Sequence, residues 1–180
     1  MIFTAAPLSG VYLIDAARSE DERGFFARSF CSEEFAAHGL VGEMSQSSVS
    51  FNTKRGTLRG LHFQIEPHAE AKLVRCTAGA IFDVVVDVRN DSATCHAWFG
   101  AELTANNRRA MYVPKGFAHG FVTLVDDTEV LYMISVPYAA GFGRGLRWND
   151  PALGIEWPIE PTVISPRDAS YPLLDASGTA

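Results

Sequence analysis

Residues 80–88 read Ala-Ile-Phe-Asp-Val-Val-Val-Asp-Val. β-Branched residues fill this run, and Ala78-Gly79 before it and Asn90-Asp91 after it are turn signals, so it is predicted to be a central strand. Toward the C-terminus further strands are predicted over 98–104, 110–113, 120–125 and 129–136. Asn106-Asn107, Lys115-Gly116 and Asp126-Asp127 separate them. Toward the N-terminus strands are predicted over 11–15, over 25–30 after the turn-like Asp21-Glu22-Arg23-Gly24, and over 44–51. One short helix is predicted over Glu33–His38, capped by Ser32 and closed by Gly39. Beyond Pro137 glycine and proline recur too often for regular elements, which leaves a wrapped tail with one more short helical turn. Short strands at close spacing predict an all-β sandwich or barrel, and an antiparallel jelly roll closes its two sheets over a cavity suited to a small molecule.

Composition agrees with one ordered domain spanning 1–180, because 47% of residues are hydrophobic and only 20% are charged. No apolar run approaches the ~18 residues of a membrane helix. Acidic residues outnumber basic ones, 21 to 15, for a net charge of −6, which argues against non-specific nucleic-acid binding. Lys54, Lys72 and Lys115 are the only lysines. The other basic residues are arginines, whose planar forks suit the phosphates of a small anionic ligand. Cys31, Cys76 and Cys95 form no CxxC pair and are odd in number, which predicts reduced thiols and a cytoplasmic protein. The first residues show no signal-peptide pattern.

Polar residues interrupt the strands at a few places. In Arg59-Gly60-Leu61-His62-Phe63-Gln64, His62 and Gln64 share a face; strict alternation turns Arg59 away from His62, but Gly60 invites a bulge that would re-aim it. His62 by itself reads first as a hydrogen-bonded core histidine. Lys72, between Ala71 and Leu73, is costly to bury without a partner and otherwise belongs on a solvated face. Tyr132 in an apolar strand is either a core tyrosine or a proton donor in a low-dielectric cavity. Pro114-Lys115-Gly116-Phe117-Ala118-His119 resembles the second motif of the cupin superfamily, which aims its histidine into a barrel. The first cupin metal motif is incomplete here: Gln64 stands at one ligand position and Lys72 near another. Two imidazoles fall short of the three or four ligands of zinc and iron sites, so no metal is expected.

Taken together, these stretches resemble the dTDP-4-dehydrorhamnose 3,5-epimerase family. The matching text is 21–26 (Asp-Glu-Arg-Gly-Phe-Phe), 56–64 (Gly-Thr-Leu-Arg-Gly-Leu-His-Phe-Gln), 72–76, 82–89, 114–121, Arg147-Trp148-Asn149-Asp150-Pro151 and Ser165-Pro166-Arg167-Asp168. The resemblance implies a cupin-type jelly roll with a few short helices, working without cofactor as a homodimer whose N-terminal segments cross between subunits. The implied activity inverts carbons 3 and 5 of a nucleotide-linked 4-keto-6-deoxyhexose, in biosynthesis of L-rhamnose-type sugars. By this resemblance His62 is the base, Asp168 its orienting carboxylate, Tyr132 the acid and Lys72 the cation near the keto oxygen. Arg59 and His119 line the same pocket, Arg23 reaches the diphosphate from the partner subunit, Tyr138 stacks on the base, and Phe26 and Gln46 complete the lining.

Three positions depart from the family pattern: Arg28 where an acid is frequent, Ser48 where asparagine is frequent, and Arg167 where lysine is common. They bear on the nucleotide and on how many carbons are inverted. A single-centre epimerase of the same fold, a metal-dependent oxygenase and a non-catalytic sugar-binding module are the rival readings.

Overall fold

In a computed structural model, residues 1–174 are described, and they form two six-stranded sheets packed face to face with a separate hairpin. The first sheet holds, in spatial order, β1 (Ile2–Ala5), β2 (Tyr12–Asp15), β10 (Ala110–Val113), β7 (Lys72–Ala78), β12 (Thr128–Ile134) and β5 (Gln46–Asn52). The second runs β13 (Gly143–Gly145), β6 (Thr57–Gln64), β11 (Phe117–Thr123), β8 (Ala80–Asp87) and β9 (Trp98–Thr104), with β14 (Val163–Ile164) added in parallel to β6. The hairpin pairs β3 (Arg18–Asp21) with β4 (Gly24–Ala27). The helices are α1 (Ser32–Ala37) and α2 (Pro166–Ser170).

The all-β jelly-roll expectation holds, and the physical cause is visible in β8. Its odd-numbered residues Ile81 and Val85 face the other sheet, packing with Val74, Met111, Phe117 and Phe121. Its even-numbered Val84 and Val86 pack outward against Leu61, Leu146 and Leu153, where the C-terminal tail covers the sheet. Both faces are therefore buried, which is why the strand reads as an apolar run interrupted only by Asp83 and Asp87. On the opposite side of the molecule Phe35 of α1 is fully buried against Ile14, Leu73 and Tyr112, with Phe3 and Phe30 edge-on to its ring.

The differences from expectation are local. Helix α1 begins one residue earlier than predicted, so Ser32 lies inside it; Cys31 occupies the cap position and supplies no side-chain cap. The strand predicted over 25–30 is shorter and ends at Ala27. β1 and β3 were not expected; neither four-residue strand buries a face that patterning would reveal, and β3 is exposed throughout.

Candidate active site

The cavity between the sheets is built around an irregularity in β6. In the pairing with β11, His62 lies opposite His119 and Arg59 lies opposite Phe121, so three steps on β6 match two on β11. This is the bulge that Gly60 was expected to allow, and it brings Arg59 and His62 to the same cavity. Gly60 has φ +130°, and a Cβ there would lie 2.5 Å from the Cα of Gly120. Only glycine meets both conditions. Its N–H donates to Oδ2 of Asp168 at 3.3 Å.

Asp168 arrives on α2, which the sequence prepares well. Ser165 caps it by accepting from the Asp168 N–H at 3.0 Å, and Pro166 opens its first turn. The buried carboxylate accepts from His62 Nε2 at 2.7 Å. That bond assigns the proton to Nε2 and leaves Nδ1 with the free lone pair. Burial lowers the His62 pKa below its ordinary value, with the Asp168 hydrogen bond and charge acting in the opposite direction. The ring is then a neutral base near neutral pH. A second, fully enclosed pair lies beside it: His119 Nε2 donates to Asp83 Oδ1 at 2.7 Å.

The facing sheet contributes Lys72 and Tyr132, on the adjacent strands β7 and β12. Lys72 is buried, not solvated; its Nζ donates to the His62 carbonyl at 3.0 Å and forms an ion pair with Glu70 Oε1 at 2.9 Å. Tyr132 meets the His119 ring edge-on at 5.8 Å. Burial, reinforced by the Asp83 carboxylate and opposed by Arg59, pushes its phenol far above the ordinary range. It therefore keeps its proton, as a donor must. His62, His119, Lys72, Tyr132, Arg59 and Asp168 all line one cavity of about 640 Å³.

A smaller recess of about 200 Å³ continues from it, sharing His62, Lys72, Ile134 and Arg167 and ending at Gln46, Tyr138 and Arg144. Gln64 shapes its rim by accepting from the Ala139 N–H at 2.7 Å, and Gln46 Oε1 accepts from the Tyr138 N–H at 3.4 Å. The Tyr138 ring itself is 64% exposed. Arg59 is aimed by Asn52, whose Oδ1 accepts from Nε at 2.7 Å. Arg167 lies along both spaces and is held by the Tyr171 hydroxyl.

Two expected residues lie elsewhere in this chain. Arg23, bound to Asp21, and Phe26, 80% exposed, sit on the β3–β4 hairpin and line neither space. Conversely, Glu70, Asp83 and Asn52 were not singled out as site residues. Asp83 gave a weak signal, as a polar residue inside an apolar strand, and Asn52, at the end of the serine-rich β5, gave none. Glu70 gave none, because it reads as part of a solvated acidic loop.

This chain is similar to known proteins over nearly its whole length. Residues 5–176 match the family described as dTDP-4-dehydrorhamnose 3,5-epimerase. A relative of that name from Sinorhizobium fredii is 46% identical over 175 residues, 97% of this chain and 90% of the relative. The crystal structure of dTDP-4-dehydrorhamnose 3,5-epimerase from Bacillus anthracis with TDP and PPi bound superposes with a TM-score of 0.92 at 40% identity, covering 96% of this chain and 99% of that one. The epimerase from Legionella pneumophila in complex with dTDP-4-keto-L-rhamnose superposes with a TM-score of 0.89 at 34% identity, covering 96% and 92%. With the cavity described above, these likenesses establish that the chain belongs to the dTDP-4-dehydrorhamnose 3,5-epimerase family.

Proposed function

We propose that this protein inverts carbons 3 and 5 of a dTDP-linked 4-keto-6-deoxyhexose, as a step in the formation of L-rhamnose-type sugars. The observation that carries the reading is the facing arrangement of His62 from one sheet and Tyr132 from the other across a single cavity. Their pKa values are moved in opposite directions, one toward a base and one toward a retained acid.

Carbons flanking a ketone lose protons because the resulting carbanion delocalises onto oxygen. His62 Nδ1 takes the C–H proton while Asp168 steadies the imidazolium. The electron pair moves onto the keto oxygen, where the Lys72 ammonium favours the enolate over the ketone. Tyr132 then delivers a proton to the opposite face of the same carbon and the ketone reforms. Solvent restores the proton to the phenol and removes the one on His62. No cofactor is needed, since nothing is oxidised or reduced overall. Arg59 and His119 hold the sugar end, and Gln46 and Tyr138 the nucleotide end.

The active form in this reading is a homodimer in which the β3–β4 hairpin crosses to the partner, so that Arg23 meets the diphosphate and Phe26 the nucleotide there. The exposure of Phe26, and of Val49 and Phe51 on the edge strand β5, supports it. We place the protein in the cytoplasm; the three cysteines are unpaired, and no helix among the described residues is long and apolar enough to cross a membrane.

The test is incubation with dTDP-4-keto-6-deoxyglucose in deuterium oxide, followed by proton NMR. Loss of both the C3 and C5 proton signals with appearance of the L-configured product is the expected result. Label at one carbon identifies a single-centre epimerase, and label at neither refutes the reading.

A further inference from the structure

Of the charged side chains lining these spaces that the mechanism above leaves without a role, Glu70 is the buried one. Glu70 precedes β7, between the buried Ala69 and Ala71, and its own side chain is only 5% exposed. Its backbone is locked: the Ala71 N–H donates to the Ser135 hydroxyl at 2.8 Å, and the Ser135 N–H returns a bond to the Ala71 carbonyl. Oε1 lies 2.9 Å from Lys72 Nζ as an ion pair, while Oε2 is buried with no hydrogen-bond partner among the described residues. A buried ion pair with one bare oxygen is a poor way to stabilise a fold, because desolvation takes back what the attraction supplies.

Its effect on Lys72 is geometric. An ammonium carries three N–H donors on a flexible four-carbon stem. The carbonyl of His62 takes one of them, and the Glu70 carboxylate holds the charge from a second side at 2.9 Å. With the ammonium held between these two oxygens, a donor remains for a ligand oxygen in the cavity. The ammonium is thereby tied to the backbone of the residue that carries the imidazole.

We propose that Glu70 is a positioning residue for the epimerisation: its carboxylate fixes Lys72 Nζ so that the remaining N–H meets the keto oxygen as that oxygen gains charge. The inference rests on the role given to Lys72 under the proposed function. Because the interaction strengthens as charge develops, losing it lowers kcat and leaves KM nearly unchanged.

Steady-state kinetics of the full chain with dTDP-4-keto-6-deoxyglucose test this in a cycle of Glu70→Ala, Glu70→Gln, Lys72→Ala and the double variants. Glu70→Ala is expected to lower kcat roughly 10–100-fold, with KM within about twofold. Glu70→Gln, whose amide oxygen still accepts from Nζ, recovers most of that loss. In the Lys72→Ala background either change costs no more than about a further twofold. An effect as large without Lys72 as with it, or one entering through KM, overturns the inference. If Lys72→Ala lowers kcat while both Glu70 variants match the wild type, Glu70 is rejected and the role of Lys72 stands. If Lys72→Ala leaves kcat unchanged, both fall. Thermal melting identifies a variant that does not fold; should Glu70→Ala be one, a kcat loss of about threefold in Glu70→Gln, present only when Lys72 is present, carries the inference, and its absence rejects it.

Discussion

His62 works against its own surroundings, because burial lowers its proton affinity while Asp168 raises it. The base form is required, so kcat/KM should fall as the medium is acidified through the pKa of the free enzyme, at a midpoint below the ordinary 6.5 of histidine. Asp168→Asn removes the opposing charge and leaves desolvation. The acid limb should then move to still lower pH, and the plateau should drop roughly 100-fold as the ring loses its orientation. A pH–rate profile of both proteins checks this; a limb that stays in place, or rises, means that Asp168 does not set the basicity of His62. At this scale the sequence was informative wherever a polar residue broke an apolar strand, as His62, Lys72 and Tyr132 do. It was silent on Glu70, because nothing in the run from Glu66 to Glu70 shows that Ser135, far along the chain, will pull that segment into the interior.

The bulge in β6 and the cap of α2 are the elements that make a site from these residues. Gly60 combines a positive φ, close approach to Gly120 and a hydrogen bond to Asp168. Gly60→Ala should therefore act on both fold and chemistry. The expected loss is about 1–3 kcal/mol of stability by denaturant titration, together with a lower kcat in the fraction that remains folded. A variant of unchanged stability and turnover would show that β6 tolerates a regular ladder. The Gly60 bulge was readable, since glycine in a strand carries a specific backbone meaning, whereas α2 was foreseen only as a helical turn somewhere in the tail. β3 was not, because Arg18-Ser19-Glu20-Asp21 buries nothing and is a strand only through its pairing with β4.

For the whole molecule the open matter is where the hairpin goes. Arg23 and Phe26 stand in solvent, yet the reading assigns them to a nucleotide. If they serve the partner's site, a mixture of Arg23→Ala and His62→Ala chains, each inactive alone, should regain roughly a quarter of wild-type turnover on co-refolding, because half the dimers are mixed and each then holds one intact site. No recovery, with dimers confirmed by sedimentation, means that each chain uses its own Arg23. An all-β sandwich or barrel was legible from strand spacing alone, and the family resemblance narrowed it to a jelly roll. The meeting of His62 with Asp168 was not, because a separation of 106 residues leaves no trace in any local pattern, and only the family resemblance paired them.

That separation also divides the fold from the chemistry along the chain. The carboxylate that makes His62 useful follows every strand in the chain, on a five-residue helix laid across the sandwich they form. A chain clipped by a protease just before Ser165 would keep every one of those strands and still lack Asp168. Turnover thus hangs on a segment that the strands themselves do not need, and a cut there would leave an idle barrel.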